Sequence, residues 1–152
     1  MLEYQQLKEI LPHAFPFLLI DRVDEYKEGE SLTASKNITS NEWCVAGDCG
    51  SNAPDEKRGN SNFPEVLLIE AAAQAALVLY HVSKVKGGQR KYVLGRIKAE
   101  LNSEVGVGDK LKILAFADKL LDTGGYSTIN LFSNDQKIGE VIIIYSVSRF
   151  NL

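Results

Sequence analysis

The sequence predicts an α+β fold in which a curved antiparallel sheet wraps one long central helix. A nearly uninterrupted apolar run follows Pro64 and stops at Gly87 and Gly88, as expected of a single long helix. The segments after it are strand-like and are separated by turn-forming residues. A helix that is apolar on almost every side must be covered on most of them, which strands curling around it achieve. The chain has 152 residues, 45% of them hydrophobic, so we expect residues 1–152 to form one domain.

The elements follow in chain order from local patterns. Residues 2–11 are predicted to form a short helix that Pro12 ends. A polar turn at 27–30 joins two predicted strands, 17–26 and 31–40. The long helix is predicted to begin at Pro64, which suits a first turn, and to extend to about Lys86. Turn-forming segments separate four further predicted strands, at 91–101, 109–121, 126–134 and 137–149.

Composition excludes several classes of function. A formal charge of −3 and a pI near 5.4 do not supply the basic surface that nucleic-acid binding needs. The N-terminus lacks the pattern of a secretory signal, and no uncharged apolar stretch is long enough for a bilayer span, so we expect a cytoplasmic protein without a membrane partner. Cys44 and Cys49 are too few for a disulfide framework and lack a nearby histidine. We therefore expect neither a metal site nor a cofactor.

Two polar residues interrupt the long apolar helix. Glu70 and Gln74 are four residues apart and share one face with His81 and Lys84. Such a stripe is typical of a solvent-exposed edge, but it also fits a carboxyl group that faces a pocket. In a pocket, desolvation would raise the pKa of Glu70 toward neutrality and suit it to proton transfer. The free N–H groups at the start of the helix, near Glu65, would then suit a carbonyl oxygen.

Edge strands and any apolar face left uncovered favour assembly of two chains. A cleft next to the helix would then lie at an interface between subunits. We therefore expect a homodimer, or a heterodimer with a related chain, and leave higher oligomers open.

Four segments carry a resemblance to a known family: LPHAFPFLLIDRV at 11–23, KNITSNE at 36–42, FPEVLLIEAAAQAA at 63–76 and LGRIKAEL at 94–101. Together, and in this order, they resemble the β-hydroxyacyl-acyl-carrier-protein dehydratases. The resemblance implies the hotdog fold, dimerisation through the sheet, and action in fatty acid or polyketide synthesis. It also implies a substrate that is an acyl thioester on an acyl carrier protein or on CoA.

The resemblance assigns roles to individual residues. Glu70 matches the catalytic glutamate of the family, and Gln74 matches the glutamine one turn further on. Asp48 stands where the family has its catalytic histidine, in a segment followed by an insertion in the loop 49–62. The substrate-binding positions implied at and before the start of the helix are Phe63, Glu65 and Val66, with Gln74 beside Glu70. Glu65 replaces a glycine.

Neither histidine of this sequence is expected to replace the catalytic histidine for which Asp48 stands. His13 lies in the LPH segment, which the resemblance assigns to the framework, and we expect it to serve packing or a hydrogen bond. His81 is expected at the surface near the end of the helix, where it interacts with the helix dipole. The proton-transfer partner of Glu70 is therefore not identified within this chain.

Three functions remain open at this point. The first is a dehydratase, acting alone or as one subunit of a composite enzyme whose histidine comes from a related chain. The second is an acyl thioesterase of the hotdog class, in which Asp48 or Glu70 orients water. The third is a non-catalytic acyl-binding or scaffold protein. For an acidic carrier protein, the basic segment 83–91 is the predicted docking surface, with an ordinary solvated helix end as the alternative.

Overall fold

The computed structural model describes residues 1–45, 62–84 and 90–149. Two helices and six strands form within these ranges. The helices are α1 (Tyr4–Ile10) and α2 (Glu65–Lys84), and the strands are β1 (Arg22–Lys27), β2 (Ser31–Asn37), β3 (Arg90–Leu101), β4 (Lys110–Leu121), β5 (Gly124–Ser133) and β6 (Gln136–Arg149). Every predicted element is present, in the predicted order.

The six strands form a single antiparallel sheet in the order β1-β2-β4-β5-β6-β3. The predicted hairpin of the first two strands is confirmed, with Lys27 opposite Ser31. β1 and β3 are the edge strands, and β3 comes directly after the long helix in the chain. β3 pairs on one side with β6 along almost its whole length, so its other side is unpaired among the described residues.

The first strand begins later than predicted. Residues 17–21 were expected in it, but β1 starts at Arg22. The backbone before it bonds elsewhere: the Leu19 N–H donates to a side chain of α2, and the Phe17 carbonyl accepts from the same side chain. Residues 17–20 therefore lie against the helix, whereas the Asp21 N–H already donates to the Ser35 carbonyl of β2.

α2 is the core helix of the fold. It contacts strands β2 to β6, and its buried residues include a run from Ala71 to Tyr80. The alanines at 71–73 and at 75 and 76 are almost wholly buried, and such small side chains let the sheet approach the helix closely. The predicted α+β architecture, a long helix covered by an antiparallel sheet, is confirmed.

By length and composition alone, α2 would also suit a membrane span, which the sequence reading did not expect of any segment. More than half of its apolar stretch is buried inside the protein, at 56%. This burial fits a core helix, since the strands already cover the surface that lipid would otherwise contact.

Candidate active site

Gln74 ties the segment before β1 to the middle of α2. Its side chain is 0% exposed. The amide oxygen accepts from Leu19 N–H at 3.0 Å, and the amide nitrogen donates to the Phe17 carbonyl at 2.7 Å and to Glu70 Oε1 at 3.0 Å. All of these partners belong to the protein. Gln74 therefore positions Glu70 and the segment, and its predicted contact with substrate stays a prediction.

The two carboxylate oxygens of Glu70 have different surroundings. Oε1 accepts from Gln74 and lies 3.2 Å from His13 Nε2. Within the described residues no hydrogen bond reaches Oε2. The Glu70 side chain is 32% exposed, so it lies half-buried at a surface opening. One oxygen is held by the protein, and the other is available to a ligand.

His13 lies beside Glu70, although the sequence reading placed it in the framework and away from the chemistry. Its expected hydrogen-bonding role is met by Nε2, which contacts the carboxylate. Its other ring nitrogen, Nδ1, is buried and has no hydrogen-bond partner among the described residues. The histidine therefore belongs to the environment of Glu70.

Glu70 and His13 open onto a cavity of about 150 Å³. Its remaining walls are apolar or aromatic: Pro12, Ala73, Leu77, Tyr92, Leu94 and Tyr145. A larger cavity of about 300 Å³ lies over β1, β2 and β4, but charged and polar side chains such as Asp24 and Lys112 line it, and none of the predicted site residues that the structure describes belongs to its lining. An apolar cavity with a few polar groups at one end is the better match for an acyl ligand.

Burial by itself raises the pKa of the Glu70 carboxyl. The hydrogen bonds from His13 and Gln74, together with the charge that His13 carries when protonated, outweigh that effect, so the pKa of Glu70 lies below its ordinary value. The expectation of a pKa raised toward neutrality is therefore wrong. The sequence left open whether this helix face is buried, and it gave no indication of the donors that meet the carboxylate.

Tyr92 and Tyr145 line the cavity, and Tyr80 packs behind them in the core. Tyr80 packs edge-on against both Tyr92 and Tyr145, with ring centroids 6.4 and 5.7 Å apart. Burial raises the pKa of Tyr92 and of Tyr145 to about 12, so both phenols stay protonated near neutral pH. The tyrosines in the cavity lining consequently carry no charge near neutral pH.

His81 was expected at the surface but is half-buried, with Nδ1 3.3 Å from the hydroxyl of Tyr92. Burial, and then the positive charge of Arg90, lower the pKa of His81. It supports the tyrosine wall and does not line the cavity.

Phe63, Glu65 and Val66, which were also predicted as site residues, do not line this cavity in the described part of the chain. Phe63 is buried in the core, and the Lys36 ammonium lies 5.7 Å from its ring centroid. Glu65 and Val66 are exposed in the first turn of α2. Asp48, Cys49 and the inserted loop up to residue 61 lie outside the described residues, as do residues 85–89 of the basic segment.

Sequence reasoning missed His13, Tyr92 and Tyr145 as site residues. His13 is 57 positions from Glu70, and only the fold brings them together. The two tyrosines come from β3 and β6, which pair with each other in the sheet, although the positions lie far apart in the chain. The aromatic residues in strands next to the helix were a signal, but nothing in the spacing assigned them to the same face.

Comparisons with known proteins identify the family and the fold of the chain. The FabA-like domain family matches residues 11–113. The 3-hydroxyacyl-(acyl-carrier-protein) dehydratase FabZ of Haemophilus influenzae is 39% identical over 114 residues, covering 74% of this chain and 72% of that protein. The protein of the same name from Desulforamulus reducens is 31% identical and covers 98% of this chain and 99% of its own length.

A similar fold occurs in the dehydratase heterocomplex ApeI:P from Xenorhabdus doucetiae, with a TM-score of 0.75. The match covers 95% of this chain and 91% of the other, at 13% identity. At that identity the likeness concerns the fold alone.

Proposed function

This chain belongs to the FabA-like domain family and is related by sequence to its 3-hydroxyacyl-acyl-carrier-protein dehydratases, and from this membership we propose that it is a dehydratase subunit that contributes Glu70 to a composite active site. The substrate is a 3-hydroxyacyl thioester carried by an acyl carrier protein or CoA. The product is the trans-2-enoyl thioester. The cytoplasm, where such thioesters are made, is the proposed compartment.

One observation carries the proposal: Glu70, whose Oε2 accepts no hydrogen bond within the described residues, lines an otherwise apolar and aromatic cavity together with His13. An apolar wall suits an acyl chain, and a lone carboxylate oxygen suits the hydroxyl at C3 of that chain.

The lowered pKa of Glu70 favours one of two roles that this carboxyl group could have in the dehydration. The sequence left open whether Glu70 protonates the departing hydroxyl or orients it, and an ionised carboxylate can only accept. In the proposed reaction a histidine of a second chain takes the proton from C2. The C3–O bond then breaks, and the same histidine returns that proton to the hydroxyl held by Oε2. One water leaves, and both catalytic groups regain their starting protonation states.

A second chain is also favoured by the size of the cavity. A volume of about 150 Å³ is smaller than the roughly 300–1,000 Å³ of common small-molecule sites. Tyr92 and Leu94 line this cavity from β3, an edge strand with exposed apolar side chains at Val93 and Ile97. A partner strand added along β3 would cover those side chains and complete the cavity. The edge suits either a second copy of this chain or a related chain, but the proposed reaction needs the related chain, because the histidines of this sequence are only His13 and His81.

The proposal is tested by complementation. The partner is a FabZ-type subunit that keeps its histidine but whose helix glutamate has been replaced by glutamine, so it is inactive alone. Mixing it with this chain should generate enoyl product from 3-hydroxybutyryl and 3-hydroxydecanoyl thioesters, measured by the absorbance of the conjugated enoyl group. The mixture made with Glu70→Gln should stay inactive, whereas Glu9→Gln, on the exposed surface of α1, should behave as wild type.

Other outcomes separate the competing functions. Release of free thiol from saturated acyl thioesters, abolished by Glu70→Gln, would identify a thioesterase instead. Binding of the two subunits without turnover would leave only a scaffold role. Equal activity of Glu70→Gln and wild type in the mixture would remove Glu70 from the reaction.

A further inference from the structure

We propose that His13 is a positioning residue that holds Glu70 as an oriented carboxylate, with Oε1 fixed and Oε2 directed at the substrate. This inference rests on the proposed function for its catalytic consequence. The contact between the two side chains does not depend on it.

The first step concerns the different contacts of the two carboxylate oxygens of Glu70. His13 Nε2 lies 3.2 Å from Oε1, and Gln74 Nε2 donates to the same oxygen at 3.0 Å. Two donors on one oxygen fix the rotation of the carboxylate group, because any turn about its terminal torsion exchanges a bonded oxygen for an unbonded one. Charge-assisted hydrogen bonds of this type are among the stronger ones in proteins.

The second step is the tautomer of His13. Nδ1 is buried without a partner among the described residues. A proton on that nitrogen would be a buried donor with no acceptor, which costs more free energy than a buried lone pair. The neutral ring is therefore best satisfied with its proton on Nε2, where it donates to Glu70. In this state His13 gives Glu70 a donor and takes no proton from it.

The third step is what holds His13 in place. The segment that carries it is fixed at both ends. Leu11 N–H donates to the Leu7 carbonyl at the end of α1, at 2.8 Å, and Phe17 and Leu19 bond to Gln74. The same glutamine thus anchors the backbone after His13 and supplies the second donor to Glu70. The imidazole is held against the carboxylate by the fold and not by a flexible loop.

The remaining titratable groups around the cavity do not compete with His13. Besides His13 and Glu70, the cavity lining includes only Tyr92 from β3 and Tyr145 from β6 as ionisable groups in the described chain. Both phenols have a pKa of about 12 and carry no charge near neutral pH. A change in the titration of Glu70 after mutation of His13 therefore reports their contact.

The experiment compares His13→Leu, which removes the donor, with His13→Gln, whose side-chain N–H can donate from a similar position. Each variant is assayed in the complementation mixture, and the Glu70 carboxyl carbon is titrated by NMR in the isolated chain, with Glu70→Gln identifying its signal. In His13→Leu the Glu70 pKa should rise, and the acidic limb of the pH profile of kcat should move to higher pH with it. kcat should fall about tenfold to a hundredfold, the effect of one hydrogen bond to a charged group, with a smaller change in KM.

His13→Gln should restore most of kcat and return the Glu70 titration toward that of wild type. An unchanged Glu70 titration in folded His13→Leu overturns the inference, whatever the assay of turnover gives. Equal loss in the leucine and glutamine variants, without a shift of the pH profile, reduces His13 to a packing role and also overturns it. Absence of turnover with wild type, together with a shifted titration in His13→Leu, rejects the proposed function and leaves the contact established.

Discussion

Replacing Gln74 by leucine should destabilise the protein by about 2–4 kcal/mol. The change keeps a side chain of similar size but removes three hydrogen bonds at a site with no solvent exposure. The largest share comes from Leu19 N–H, because Leu19 is itself buried and an unpaired buried donor costs about 1–3 kcal/mol. The bond to the ionised Glu70 adds about 1 kcal/mol, reduced by its partial exposure. The Phe17 carbonyl contributes less, since its residue is exposed and water can replace the amide.

Urea unfolding measures this loss as a lower midpoint at an unchanged slope. Wild type and variant are compared at one protein concentration, because any coupled dissociation makes the midpoint depend on it. Gln5→Leu is the matched control: it makes the same exchange on the exposed surface of α1, and its free energy of unfolding should stay within about 0.5 kcal/mol of wild type. In Gln74→Leu the activity of the complementation mixture should also fall, since Glu70 loses one of its two donors.

A loss below about 1 kcal/mol with the same slope would refute this reasoning. It would mean that water or a rearranged segment satisfies Leu19 N–H, and that Gln74 does not anchor residues 17–20 to the helix. The account of how His13 reaches Glu70 would then lose its support, because the same amide holds the chain that carries the histidine.

Two further predictions concern pH and assembly. The pKa of Glu70 is lower in the folded chain than its unfolded value of 4.5, so its contribution to stability is complete above pH 4.5 and is lost as the pH falls through the folded pKa. Relative to Glu70→Gln, the urea midpoint of wild type should therefore be lower below pH 4.5 than it is at neutral pH. A difference in midpoint that does not change with pH would contradict the lowered pKa. Ile97→Lys, on edge strand β3, should convert a dimer to a monomer in light scattering and should lower the activity of the complementation mixture. The control Phe116→Lys, similarly exposed but on the interior strand β4, should stay dimeric. If Ile97→Lys stays dimeric, the interface lies elsewhere.

The order and type of the elements followed from local signals. α2 was predictable because its apolar run is long and has a proline at one end and glycines at the other, and the strands were predictable because turn-forming residues separate them. The start of β1 was not. Residues 17–20 have the composition of a strand, but Gln74 takes the backbone groups of Phe17 and Leu19 that a strand would use. A tertiary contact decided the boundary, and no window of sequence contains it.

In the candidate site, too, some features followed from the sequence and others depended on tertiary contacts. Glu70 was identified because a carboxylate in an apolar helix is unusual and because its surrounding motif resembles a family. The direction of its pKa shift was missed because it depends on which donors the fold brings to the carboxylate, and His13 is remote in sequence. Burial alone predicts a raised pKa, and burial with two donors gives a lowered one.

The lowered pKa of Glu70 gives a reason why the proposed reaction needs a partner chain. If Glu70 rests as a carboxylate, it can hold the substrate hydroxyl but cannot supply the proton with which water leaves. A second group must then both take the C2 proton and return it, a task suited to an imidazole because its pKa lies near neutrality. His13 cannot do this while its Nε2 is engaged with Glu70 and its Nδ1 is buried. Under the proposed function the cycling imidazole belongs to a second chain, and we expect that chain to approach the edge of β3 that is unpaired among the described residues, where Tyr92 and Leu94 already line the cavity.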